Sequence, residues 1–210
     1  MTQDPYCYRG TEILINKLNI RDQMALNEKE ADYFSFRLFL LQEKPLLGNF
    51  DYAHLQSIHK YLFQDIYKWA GETRKISMTK YYSEINRIGT FAAPAYIESS
   101  INHILDKLKE ESYLRNYRRI SDFAERLAYY MSEINAIHPF REGNGRAQRE
   151  FFRCLAMESG FILDWSRVDH QEFTNSRALS IMDNTHLTKM IKRCLVAGQK
   201  TKKEDNKRDV

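Results

Sequence analysis

Apolar residues return every three or four positions along most of this chain, and a single segment interrupts the rhythm. That spacing collects side chains on one face of an α-helix, so it commits the chain to helix-on-helix packing. Asn27 followed by Glu30 reads as a capping pair opening a helix that buries Ala31, Phe34, Leu38 and Leu41. Lys44-Pro45 and Gly48-Asn49 end it, and Asp51 can cap a second helix with Leu55, Ile58, Leu62 and Ile66 on one side. Pro94 suits the first turn of a third, which carries Ile97, Ile101, Ile104, Leu105 and Leu108. Ser121 starts a fourth with Phe123, Leu127, Tyr130, Ile134 and Ile137. The period resumes after Gly145 with Phe152, Leu155 and Ala156, and stops at Gly160. Asp169 and Thr185 can cap two final helices, the last carrying Leu187, Met190, Ile191 and Leu195. Between residues 73 and 91 the period fades, and Ile76, Met78 and Tyr82 stand among polar residues with Gly89 near the end, which predicts a β-hairpin or extended flap. The fold expected is mainly α with one hairpin.

A chain of 210 residues with 43% hydrophobic content suits one domain with its own core. Its net charge of +4 is not concentrated on a binding surface: residues 199–210 carry five basic and three acidic side chains, so half of the excess lies in that tail. The balance left to the rest argues against a duplex-binding protein, and the tail itself reads as disordered or as a linker. Cys7, Cys154 and Cys194 are odd in number and form no CxxC pair, which points to reduced thiols in a cytosolic setting. The opening Met-Thr-Gln-Asp-Pro-Tyr lacks the basic and apolar regions of a Sec-type signal, and no apolar run reaches the ~18 residues that span a bilayer.

The chemistry is concentrated in Ile137-His-Pro-Phe-Arg-Glu-Gly-Asn-Gly-Arg-Ala-Gln-Arg149. Pro139 disfavours helical backbone at His138, so the preceding helix ends near Ile137. Gly143 and Gly145 allow a tight loop, and a helix beginning around Gly145 aims free amides and its positive end into that loop, where an anion can bind. Arg146 and Arg149, three apart, share a helix face and can clamp more than one phosphate. Glu142 offers one hard oxygen ligand, the usual protein share of a phosphate-bound Mg²⁺. His138 has an imidazole suited to taking a proton from a hydroxyl. Each of these residues alone has a duller reading as helix end, turn or solvated surface; their density within one loop favours an anion or nucleotide site.

The stretch from His138 to Arg149 resembles the signature of the Fic family, HxFx(D/E)GNGRxxR, at every defined position. Gly10-Thr-Glu-Ile-Leu-Ile-Asn-Lys-Leu-Asn-Ile-Arg-Asp22 and Trp69-Ala-Gly-Glu-Thr-Arg74 are also similar to bacterial members, so the resemblance covers residues 8–198. It implies a Fic-type helical bundle with the hairpin as a flap beside the active-site loop, and a protein adenylyltransferase that moves AMP from ATP to a protein hydroxyl with release of pyrophosphate. In that scheme His138 is the base and Glu142 holds Mg²⁺. Gly143, Asn144 and Gly145 form the anion hole, with Asn144 near the α-phosphate, and Arg146 and Arg149 grip the distal phosphates. Lys80 occupies the place of the flap lysine, and the flap aligns an extended target segment by strand addition. Gly145 stands where a kinase-like branch has lysine, which favours nucleotide transfer over phosphorylation. The inhibitory motif (S/T)xxxE(G/N) has no match: Ser121 and Glu125 have its spacing, but Arg126 follows. Either a separate small antitoxin supplies that glutamate, or this member lacks the restraint.

The implied partners are a bacterial type II topoisomerase or a host small GTPase, with action in the bacterial cytoplasm or after transfer into a host cell. Two other readings stay open: transfer of a different phosphate-linked group, and a non-catalytic helical module that binds protein or nucleic acid. Lys75, Lys80, Glu84 and Arg87 charge the flap, and their expected role is to select the target. Arg153, one turn beyond Arg149, and Asp183 with Asn184, as a border of an adenine pocket, are weaker candidates. His54, His59, His103, His170 and His186 show no metal-ligand spacing, and Phe140 and Trp69 read as core.

Overall fold

Three aspartates start three of the helices. Asp22, Asp51 and Asp169 sit in extended backbone, and their carboxylates accept from the amides of Ala25, His54 and Glu172, satisfying donors that a first helical turn leaves open. The computed structural model describes residues 3–198, so the tail read above as disordered or linker lies outside the described residues. Within them run α1 (Gln23–Glu43), α2 (Tyr52–Phe63), α3 (Ile97–Glu110), α4 (Ile120–Ile137), α5 (Asn144–Glu158), α6 (His170–Leu179) and α7 (Thr185–Cys194). The fold is mainly helical with a hairpin, as the periodicity predicts.

Helix starts were the least legible part. α1 begins ahead of Asn27, because Asp22 caps it first, and Glu30 lies in its interior. α4 begins at Ile120 without a side-chain cap, while the Ser121 hydroxyl donates to Asp122. Thr185 does not cap α7 either: its amide donates to the carboxylate of Asp183. Leu195 leaves that helix and joins a strand.

The expected hairpin is β1 (Thr79–Tyr82) against β2 (Arg87–Thr90), antiparallel with Lys80 opposite Gly89 and Tyr81 opposite Ile88. A second, unforeseen pair joins β3 (Phe161–Leu163) to β4 (Leu195–Ala197). Each of its strands has three residues, too few for an alternation to show in sequence.

Helix α5 is the centre of the packing, touching α2, α4 and β3. Phe151, Phe152 and Leu155 on it are fully buried, and truncating either phenylalanine to alanine is expected to cost about 3–5 kcal/mol. Arg153 does not extend the phosphate-facing row. It closes a two-point ion pair on Glu150, whose side chain is 1% exposed. The chain therefore holds the C-terminus of α4 and the N-terminus of α5 rigidly, with residues 138–143 turning between them.

Candidate active site

His138 is the last word of α4. It caps that helix in left-handed backbone (φ 53°, ψ 64°), a conformation usually left to glycine. What holds it there is Arg74, a fully buried arginine at the base of the hairpin. Its Nε donates to the His138 carbonyl at 2.7 Å, and its terminal nitrogens donate to the carbonyls of Ile137, Ile76 and Ala92. The Arg74 amide donates to the Pro139 carbonyl at 2.9 Å. One guanidinium thus satisfies the open carbonyls at the end of α4 and fixes both feet of the hairpin to it.

The His138 ring lies flat on Phe91, centroids 3.8 Å apart. Withdrawal from water, followed by the charges of Arg177, Arg74 and Lys80, pushes its pKa down to about 3, and the Asn135 backbone carbonyl opposes this. The imidazole is therefore neutral at pH 7, with one ring nitrogen unprotonated.

The loop itself is shaped from below. Gly143 has φ 79°, and a Cβ there would collide with the Phe63 ring, so both backbone and space require glycine. Asn144, 3% exposed, accepts from the Phe140 amide at 2.9 Å and donates to the Phe140 carbonyl at 2.8 Å. The Asn144 side chain closes the turn, which leaves its backbone N–H as the group it can present to an anion. Phe140 is buried as expected and stacks on His59 at 3.9 Å.

His59, expected to be incidental, braces the loop. The Gly71 amide donates to its Nδ1 at 2.8 Å, so Nε2 carries the proton and donates to the Glu142 carbonyl, also at 2.8 Å. Burial lowers its pKa to about 4. Because the unfolded value is near 6.5, this bridge contributes fully above pH 6.5 and is lost as pH falls toward 4. Between pH 7 and pH 5 the loss is about 2 kcal/mol. Thermal melting should fall more steeply over that interval for the wild type than for His59→Gln; parallel curves would contradict the assignment.

The remaining predicted residues meet in one cleft of about 500 Å³ lined by Lys80, His138, residues 142–146 and Arg149, together with Phe91, Asn135, Phe173 and Arg177. Glu142 is the one acidic residue in this lining, its side chain 48% exposed with Oε1 accepting from the Gly143 amide at 2.7 Å. Arg146 lines the cleft with Arg149 but is also held: Glu30 on α1 lies at 2.5 Å, and Phe34 and Phe63 lie under its guanidinium. Tyr67 donates to the other oxygen of Glu30. Arg149 instead lies over Phe173, 4.9 Å from the ring centroid. His170 also lines the cleft, whereas Asp183 and Asn184 do not. Lys80 reaches the cleft with Nζ 5.4 Å from the Tyr82 ring, and the Glu84 side chain lies outside the described residues.

Glu30, His59, Arg74, Phe91 and Arg177 are the site residues that sequence reasoning missed. Asn27-Glu30 was legible only as a cap and Arg74 only as the end of the Trp69–Arg74 resemblance, and nothing local marks a site role for the others.

Fold and cleft together define a helical protein that offers a helix N-terminus, basic side chains and one neutral imidazole to a phosphorylated ligand. The Fic/DOC family model matches residues 49–156, and the chain belongs to that family. It is 41% identical over 186 residues to the protein adenylyltransferase VbhT of Bartonella schoenbuchensis, covering 89% of this chain and 37% of that protein. It is 36% identical to the probable protein adenylyltransferase Fic of Escherichia coli, over 90% of each. The crystal structure of the VirB-translocated effector BepC of Bartonella tribocorum, with AMPPNP bound, superposes with a TM-score of 0.82 at 26% identity, over 92% of this chain and 97% of that one. The chain therefore spans little more than a third of VbhT but nearly all of the Escherichia coli protein. No helix among the described residues is long and apolar enough to cross a membrane.

Proposed function

We propose that this chain transfers AMP from ATP to a hydroxyl side chain of a target protein and releases pyrophosphate. The observation that carries the reading is the neutral imidazole of His138 in the same cleft as the N-terminus of α5 and the guanidinium of Arg149. The family's named adenylyltransferases and the AMPPNP in BepC support ATP as the donor.

In this scheme His138 takes the hydroxyl proton as the oxygen bonds to the α-phosphorus, and the bond from that phosphorus to the bridging oxygen breaks. The backbone amides of Asn144 and Gly145, at the start of α5, face the charge that builds there. Arg146 and Arg149 hold the distal phosphates, Arg146 steered by Glu30, and Lys80 completes the basic rim from the hairpin. Among the described residues no group of three or more His, Cys, Asp or Glu side chains is placed to hold a metal ion by itself. The half-exposed Glu142 supplies the single carboxylate that a phosphate-bound Mg²⁺ needs, and the ion would neutralise phosphate charge when bound. A separate antitoxin glutamate would act by competing for these arginines.

The target would lie along the hairpin. Tyr81 and Ile88 face each other across its strands, 60% and 71% exposed, and among the described residues β1 and β2 pair with no third strand, which leaves strand addition as the docking mode. Tyr81→Asp combined with Ile88→Asp should lower target modification about tenfold or more while AMPPNP affinity and melting temperature hold, since a few-kcal/mol docking patch is lost and no core is touched. Unchanged modification would remove the hairpin from target binding.

The function is tested with ATP labelled at the α- or the γ-phosphate, added with Mg²⁺ to bacterial and animal-cell lysates. α-Position label on protein that appears only when this chain is added is expected, and mass spectrometry of the labelled bands separates the topoisomerase and small-GTPase classes. No α-position label above that of the lysate alone, or chain-dependent label from the γ-position only, would reject AMP transfer.

A further inference from the structure

Arg177, on α6, belongs to no motif, yet it lines the cleft with its guanidinium against the start of α5. A Cβ at position 145 would strike its Nη1, so the glycine at the helix start is also what leaves room for this arginine. Its Nη2 donates to the Asn135 side chain, while its Nε is shut off from solvent with no hydrogen-bond partner. Neither Arg177 nor Arg149 has a carboxylate within ion-pair distance among the described residues. Both stand over the same ring, Phe173, at 5.5 and 4.9 Å from its centroid.

Two guanidiniums converging on one aromatic ring at the wall of a cleft repel each other and have lost much of their water. Such an arrangement is costly unless an anion occupies the space between them. Withdrawal from water, with a smaller push from the charge of Arg149, lowers the pKa of Arg177 to about 10 even though Tyr82 and Glu142 oppose it, and the group stays protonated at pH 7. A structural arginine in this protein looks different: Arg153 closes on Glu150, and Arg74 uses its donors on four carbonyls.

We infer that Arg177 is a phosphate-binding residue, a third arginine, contributed by α6, that grips the nucleotide's phosphates beside the start of the motif helix. The inference rests on reading the cleft as a nucleotide site, and its position beside His138 and Gly145 places it at the phosphate next to the imidazole. Charge-assisted hydrogen bonds to phosphate are among the strong ones, so their loss is visible in affinity.

The test is calorimetric binding of AMPPNP and of inorganic triphosphate, with Mg²⁺, to the wild type, Arg177→Met and Arg177→Lys. Arg177→Met should weaken both ligands about tenfold or more, with the unliganded melting temperature kept, and Arg177→Lys should restore part of the affinity because the charge returns. AMPPNP affinity within about threefold of wild type in Arg177→Met overturns the inference. So does a loss that comes with a collapsed melting temperature and is not relieved by lysine, which would make Arg177 a packing residue. Failure of the wild type to bind AMPPNP would instead reject the nucleotide site itself.

Discussion

Arg74→Met should destabilise the protein by about 3 kcal/mol or more, lowering the melting temperature on the order of 10 °C. Two effects oppose each other in that substitution. Removing a guanidinium from a fully buried position relieves the desolvation of a charge that has no carboxylate partner in its hydrogen-bond set. Against this, the carbonyls of Ile76, Ala92, Ile137 and His138 lose their donor together. Each buried acceptor left unpaired costs about 1–3 kcal/mol, so even with water reaching two of them the loss prevails. The strained backbone of His138 would also lose its tether, and transfer activity should fall with stability. Arg74→Lys, with a point charge in place of a fork, should recover only part of either. Denaturant melts of the three proteins decide the matter, and an Arg74→Met variant within about 1 kcal/mol of wild type would show that the guanidinium is not what holds the hairpin to α4.

The division between what was legible and what was not follows sequence separation. His138, Glu142, Gly143, Gly145 and Arg149 are neighbours in the chain, so helix breaking at Pro139 and helix starting near Gly145 already gather them, and the cleft contains them all. The residues that set their positions come from elsewhere. Arg74 reaches His138 from the foot of the hairpin, His59 reaches Glu142 from α2, Glu30 reaches Arg146 from α1, and Arg177 arrives on α6. Packing alone brings such partners together, and a lone arginine or histidine on a helix carries no local pattern to announce it.

Glu30 shows the difference most clearly. Its spacing from Asn27 fits a capping box, but Asp22 had already satisfied the first turn, which left that carboxylate to face Arg146 and Tyr67. At Asn144 the motif names the residue but not the division of labour: the side chain closes the loop on Phe140, which leaves the backbone N–H to face an anion. Short strands such as Phe161–Leu163 escape because three residues cannot display a period.

The most demanding expectation concerns His138, whose side chain has no packing duty comparable to that of His59 beyond its stack on Phe91. A general base contributes about 10²–10⁴-fold to a transfer rate. The cradle formed by the start of α5 and the arginines does not involve the imidazole, so nucleotide affinity should be nearly independent of it. The decisive measurement is therefore the rate of α-phosphate label transfer to lysate protein by His138→Ala, set beside its AMPPNP affinity. Transfer reduced about 10²-fold or more at wild-type affinity is the predicted result. Transfer within threefold of wild type would contradict the account, because the proton would then be taken by a group other than His138.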